Sequence, residues 1–430
     1  MYPSRKTIHR SAIACFALCS LALFVTGCNE FWPSRSSTPT LVSMPNETPT
    51  PVGGPQPNSN GAMDRANVQG TGVYSGSSIS LAPRMLWKFR VDTVRSANTV
   101  YGRVGSTPVV ANGLVYIGGD EYLYAVNVAT GSAVWKFNTP GGGVNSAAVA
   151  GRLVYFASGD QELYAVDGLT GTERWRFSIK DRSLPWSAFS NPVVYGGLVY
   201  VGSERGALIA IDAISGQQVW HLQVPGGVAR MPTVANGLVL FGTEIGNGTD
   251  IRSMSFYAVN AQTGAIVWRT HLEEGVGNAS AVDDDTVYVS GYAAGLYALD
   301  IKSGQIKWQF KPRGIFLDTA PSVAYGTVYV TWGRGLYALD SASGRERWRY
   351  EGSEGFIVSP SIVGNIIYCP TSDASTNNNT KAPGVLYAID AHTGNMVWKY
   401  PIAGDIGNNA SIVDNVLYVK SDDGYLYAIR

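Results

Sequence analysis

From residue 85 to the C-terminus, short apolar runs alternate with small polar clusters at a period of 40 to 50 residues. The clearest unit reads Leu-Tyr-Ala-hydrophobic-Asp/Asn, two residues, Thr/Ser-Gly, three residues, Trp. It recurs at 123–135, 163–175, 208–220, 256–268, 296–308, 336–348 and 386–398. Its first five residues alternate small and large apolar side chains, which predicts a strand. The Asp or Asn can bond its own backbone two residues on and start a tight turn. Gly131, Gly171, Gly216, Gly264, Gly304, Gly344 and Gly394 then fit the left-handed position that closes a hairpin with a bulge. A second strand delivers the tryptophan.

Upstream of each unit lies another strand pair, such as Ser106-Thr107-Pro108-Val109-Val110, a short Asn-Gly turn, and Val115-Tyr116-Ile117. Four short antiparallel strands per repeat are the unit of a β-propeller blade. The Val-Tyr-type strand occurs eight times, starting at 115, 154, 199, 239, 287, 328, 367 and 417. The eighth Leu-Tyr-Ala strand, Leu426 to Ile429, has no turn or tryptophan after it because the chain stops at Arg430. The missing outer strand is found at the other end, where Met85-Leu86-Trp87-Lys88-Phe89-Arg90 matches Val134-Trp135-Lys136-Phe137. The expected fold is therefore all-β, an eight-bladed propeller over 84–430, closed by pairing of the N-terminal strand with the last blade. Closure removes the free edge that would otherwise invite association, so a monomer is expected.

These repeats resemble the PQQ-like (quinoprotein) propeller family, whose tryptophan-docking motif has the Ala-x-Asp-x-x-Thr-Gly-x-x-x-Trp pattern. The resemblance implies that each indole packs flat on the next blade. It assigns Trp87, Trp135, Trp175, Trp220, Trp268, Trp308, Trp348 and Trp398 to structure. It also raises a PQQ-dependent dehydrogenase. Family alcohol dehydrogenases use an adjacent cysteine pair over the cofactor, carboxylates around calcium and a catalytic Asp. This chain has no adjacent cysteines, and most of its motif aspartates occupy the turn slot. Neither PQQ nor calcium is supported by the residues, and no catalytic residue is assigned.

The N-terminus has a different pattern. Arg5, Lys6 and Arg10 precede an apolar stretch from Ser11 to Val25, too short to span a bilayer comfortably. It ends in Val25-Thr26-Gly27-Cys28, which resembles the bacterial lipobox and implies a signal peptide over 1–27 with lipid attached at Cys28. Residues 28–83 hold eight prolines with many Ser and Thr and almost no apolar periodicity. That composition predicts a disordered tether. Export would remove Cys15 and Cys19, leaving Cys369 beside the lipidated Cys28, so no disulfide inside the propeller is expected. A lipobox joined to an eight-bladed ring resembles the BamB-type barrel-assembly lipoproteins. That family implies a role in outer-membrane protein insertion through the barrel-assembly machinery. The exported chain is then anchored to the envelope, at the periplasmic face of an outer membrane or the outer face of a cell membrane.

Composition removes other classes. The 430 residues carry 32 basic and 32 acidic side chains, so no basic field recruits nucleic acid. Charge is only 15% against 45% apolar content, with 50 Gly lacking a triplet period, which excludes collagen, coiled coil and global disorder. His221, His271 and His392 fall in different blades, and Asp283-Asp284-Asp285 sits in a short turn, so a metal centre is not expected. All long loops (91–104, 180–190, 244–255, 371–384) fall on the face opposite the short turns, as binding loops on a rigid scaffold do. That face also collects Trp186, Phe189, Arg230, Phe316 and Phe356 in blade-to-blade connections, a composition suited to protein recognition. The expectation is a non-enzymatic interaction scaffold. A PQQ-dependent oxidoreductase and a surface glycan- or ligand-binding propeller are the alternatives.

Overall fold

The computed structural model describes residues 40–41 and 62–430, except 68, 80–81, 92–105, 141–142, 179–188, 229–230, 244–254, 273–275, 277–278, 292–294, 313–318, 354, 357 and 372–382. Among the described residues there is no helix. Eight antiparallel sheets of four propeller strands follow one another along the chain. Blade 1 comprises Val109–Ala111, Leu114–Gly118, Tyr122–Asn127 and Ala133–Asn138, from the central channel outward. Blades 2 to 8 begin at Ala148, Val193, Thr233, Ala281, Ser322, Ser361 and Ser411. The outer strand of blade 8 is Met85–Arg90, paired antiparallel to Tyr425–Ile429 with Ala428 opposite Trp87. Two backbone bonds between Arg84 and Arg430, 2.8 and 2.9 Å, extend the join. The ring is closed by its two termini.

The repeated motif explains the seams. In blade 1 the Asn127 carboxamide accepts from the backbone of Ala129 and Thr130 at 2.9 and 3.1 Å. Gly131 follows at φ +70°, and the register shifts between Ala125 and Val126, making the bulge. The turn is shaped to receive an indole from the preceding blade. Trp135 Nε1 donates to Gly168 O at 2.8 Å, and a Cβ on Gly171 would stand 2.7 Å from the Trp135 ring. Trp87, Trp175, Trp220, Trp268, Trp308 and Trp348 donate in the same way to Val128, Ala213, Ala261, Ile301, Ser341 and Ala391. The second-strand tyrosines share these acceptors: Tyr116, Tyr155, Tyr200, Tyr288 and Tyr329 donate to the same carbonyls as their blade's tryptophan. These tyrosines recur along the sequence at the same spacing as the tryptophans.

The seam between blades 7 and 8 differs. Blade 8 has no connected third turn, yet Trp398 is buried there at 7% exposure. The Tyr368 hydroxyl instead accepts the Ile79 N–H at 2.8 Å. Ile79 is itself buried among Tyr368, Trp398 and Ile412. The stretch leading into the closing strand thus fills the place that a turn occupies elsewhere.

Residues 62–79 correct the expectation of a tether reaching to 83. Ala62–Met63 pair antiparallel with the inner strand of blade 2, and Val73–Tyr74 pair parallel with that of blade 7. Met63, Asp64 and Arg65 are buried. The composition of 28–83 as a whole argues against local order, but residues 62–79 hold no proline, and the channel wall supplies the hydrogen-bond partners and apolar surface that the segment lacks by itself.

Candidate functional site

Each inner strand runs from the face of the blade-to-blade connections to the face of the hairpin turns. Ala62–Met63 run against that direction and Val73–Tyr74 run with it. Residues 62–77 therefore form a plug that rises into the channel from the hairpin-turn face, reverses near the connection face, and returns. Ser77 N–H reaches Asn415 Oδ1 in a hairpin turn of blade 8 at 3.2 Å. Along the way the carbonyls of Gln69, Thr71 and Gly72 accept the N–H groups of Val282, Val323 and Ile362, on three successive inner strands.

The reversal is made by Arg65 and Ala66, both left-handed at φ 62° and 73°. Asp64 is held from opposite sides, by Asn191 Nδ2 at 3.0 Å and Asn409 Nδ2 at 3.1 Å. Arg65 Nη2 donates to the Pro321 carbonyl and lies 3.4 Å from Ser322 Oγ. Burial pushes the Arg65 guanidinium down to about 10, against the opposing pull of the nearby Asp64 carboxylate. Tyr74 is raised by the same burial, its hydroxyl 3.4 Å from Ser411 Oγ. Ser322 and Ser361 stitch the wall itself, donating to the carbonyls of Pro360 and Ala410 at 2.6 and 2.8 Å.

At two points the plug presses closely on the wall. A Cβ on Gly70 would lie 2.4 Å from Ser280 O, and one on Gly72 would lie 2.2 Å from Ser322 Oγ. Between plug and wall at these points there is no room for a methyl group. Among the described residues no three His, Cys, Asp or Glu side chains gather as metal ligands. Asp285 of the acidic turn is paired with Lys307 at 2.9 Å. Cys369 is buried, and burial pushes its thiol up, the opposite of what a reactive thiolate needs.

The proposed recognition face fares unevenly. Phe189 and Phe356 are 2% and 0% exposed and do not present a surface. Phe356 sits edge-on to Tyr387 at 5.6 Å between blades 6 and 7, and the Phe189 carbonyl accepts Asn145 Nδ2 at 2.6 Å. Both rings fill space between neighbouring blades where the chain turns into an inner strand. Trp186, Arg230 and Phe316 lie outside the described residues, as do Cys28 and most of the four long loops.

A family profile described as outer membrane protein assembly factor BamB matches residues 81–246 and 252–430. No curated protein matches the sequence. Among solved structures, BamB from Moraxella catarrhalis superposes with TM-score 0.61 at 17% identity, over 81% of this chain and 100% of that one. A europium-containing methanol dehydrogenase gives 0.70 at 14%, over 84% and 90%. A quinohemoprotein alcohol dehydrogenase from Comamonas testosteroni gives 0.68 at 16%, over 84% and 79%. At these identities the superpositions speak for a shared fold and nothing finer.

Proposed function

This chain belongs to the family of the outer membrane protein assembly factor BamB, and from that premise we propose that it is a lipid-anchored, non-enzymatic envelope protein. Its propeller serves as a protein-interaction scaffold in outer-membrane protein assembly. The observation that carries the reading is the plug. Residues 62–74 tie the inner strands of blades 2, 5, 6 and 7 together and occupy the axis. A ring crossed in this way offers its faces and rim to partners. Cys28 after Val25-Thr26-Gly27 supplies the anchor, and the chain between it and the plug supplies the reach.

Two measurements test this. Affinity-tagged full chain, solubilised from its own membranes, is expected to bring down barrel-assembly components. Recovery of none, together with dye-linked alcohol oxidation on adding PQQ and calcium, would establish the oxidoreductase reading instead. Cys28→Ala is expected to abolish metabolic labelling by palmitate and move the protein out of the membrane fraction; unchanged labelling refutes the anchor.

A further inference from the structure

The first hairpin turn of each blade places at least one residue in the left-handed region, at the same first position. These are Asn112, Gly151, Gly196, Asn236, Asp284, Tyr325, Gly364 and Asp414, all with φ between 50° and 59°. Seven are glycine, asparagine or aspartate, the residues that tolerate this conformation. Blade 6 alone has a bulky side chain there. Backbone strain of this kind persists where the surrounding structure imposes it, and it clusters at functional sites. Tyr325 is also 60% exposed, so burial of its ring does not explain its presence. Its ring centre lies 6.4 Å from that of His392 in the third turn of blade 7.

Beside this ring is a cavity of ≈ 440 Å³, open to solvent, between the returning limb of the plug and blade 6. Its floor includes Val323 and Ala324, and its polar side includes Asn67, Thr71 and Ser75. Among the described residues no charged side chain lines it. Two of the polar groups are already oriented. Asn67 Nδ2 donates to Thr71 Oγ1 at 2.7 Å, and Asn67 Oδ1 accepts the Thr71 N–H at 3.1 Å. Thr71 Oγ1 also accepts Val73 N–H at 3.3 Å, which leaves the threonine its own proton to donate. Ser75 is exposed at the mouth.

We propose that this cavity is a binding site for a neutral saccharide, with Tyr325 as the platform. A pyranose ring has a C–H face and a rim of hydroxyls. The exposed aromatic ring suits the first, and the pre-set amide and hydroxyl groups suit the second. The uncharged lining offers nothing to a phosphate or carboxylate. Two rings, Tyr74 and Tyr325, line the cavity, fewer than the extended aromatic groove that a proline-rich peptide docks into. The site is independent of the assembly partner proposed above.

The test uses the detergent-solubilised full chain, with cellotriose and chitotriose as probes in calorimetric titration and saturation-transfer NMR. At least one trisaccharide is expected to bind the wild type. Tyr325→Asn installs the residue that blades 1 and 4 carry in the same turn. It is expected to raise the Tm, because the turn relaxes, while weakening saccharide binding at least tenfold. Binding of neither probe, or equal affinity in the variant, overturns the proposal. So does a lowered Tm, which would make the ring a structural support of its turn.

Discussion

The seam between blades 1 and 2 allows the docking geometry to be tested from both sides. Trp135 is wholly buried, and its ring presses on Gly171, a residue at φ +70°. Trp135→Ala removes a large buried side chain, for which about 3–5 kcal/mol is typical. Gly168 O keeps the Tyr116 hydroxyl at 3.2 Å, so no acceptor is orphaned and the cost falls near the lower figure. Gly171→Ala carries two penalties. The left-handed conformation costs about 1–2 kcal/mol with a Cβ, and overlap with the indole at 2.7 Å adds about 1–3 kcal/mol of overpacking. In the double variant the indole is gone and the overlap with it, so only the conformational penalty remains. The double variant is therefore expected to be about 1–3 kcal/mol more stable than the sum of the single changes implies. Urea denaturation of the four proteins measures this, provided the m-value stays constant. Additivity within about 0.5 kcal/mol would refute the claim that this glycine is required by the indole.

Other expectations follow from the plug and the turns. Gly72→Ala sets a Cβ 2.2 Å from Ser322 Oγ at a backbone angle of φ +68°, so the plug should leave the channel and trypsin should cleave after Arg65 at least tenfold faster; an unchanged cleavage rate contradicts the packing. The Asp340 carboxyl is held down at about 2, first by the Arg347 guanidinium, then by Ser343. Its folded pKa lies below its unfolded value of about 4, so its contribution is present above pH 4 and lost as pH falls towards 2. Asn fills the same slot at Asn127 and Asn260 with the same turn bonds. Hence the wild type's Tm advantage over Asp340→Asn should shrink between pH 6 and pH 2, and a constant gap would show that the ion pair contributes nothing.

The blades were legible because their information is local. The turn glycine, the Asp or Asn before it and the tryptophan four residues after it lie within one hairpin, and repetition makes the pattern visible. Ring closure was legible for the same reason: Met85–Arg90 carries the outer-strand pattern and the last copy lacks one. Phe189 and Phe356 were misread as surface because a connection between blades has no periodicity to indicate which way a ring points. Their burial depends on the neighbouring blade, through contacts such as that of Phe356 with Tyr387.

The plug shows where sequence alone stops. Asp64 meets Asn191 and Asn409 at separations of 127 and 345 residues, and Arg65 meets Ser322 at 257. No window of the chain contains both members of any of these pairs, and composition around them reads as disorder. The sequence by itself determined eight blades, their turns, their rivets and how the circle shuts, since short-range stereochemistry and apolar alternation encode each of these. Only the tertiary structure decided what fills the axis and which hairpin turn carries a strained, exposed tyrosine beside an open cavity. A channel wall exists only once all eight blades surround it, and a segment without a core of its own acquires order from that wall.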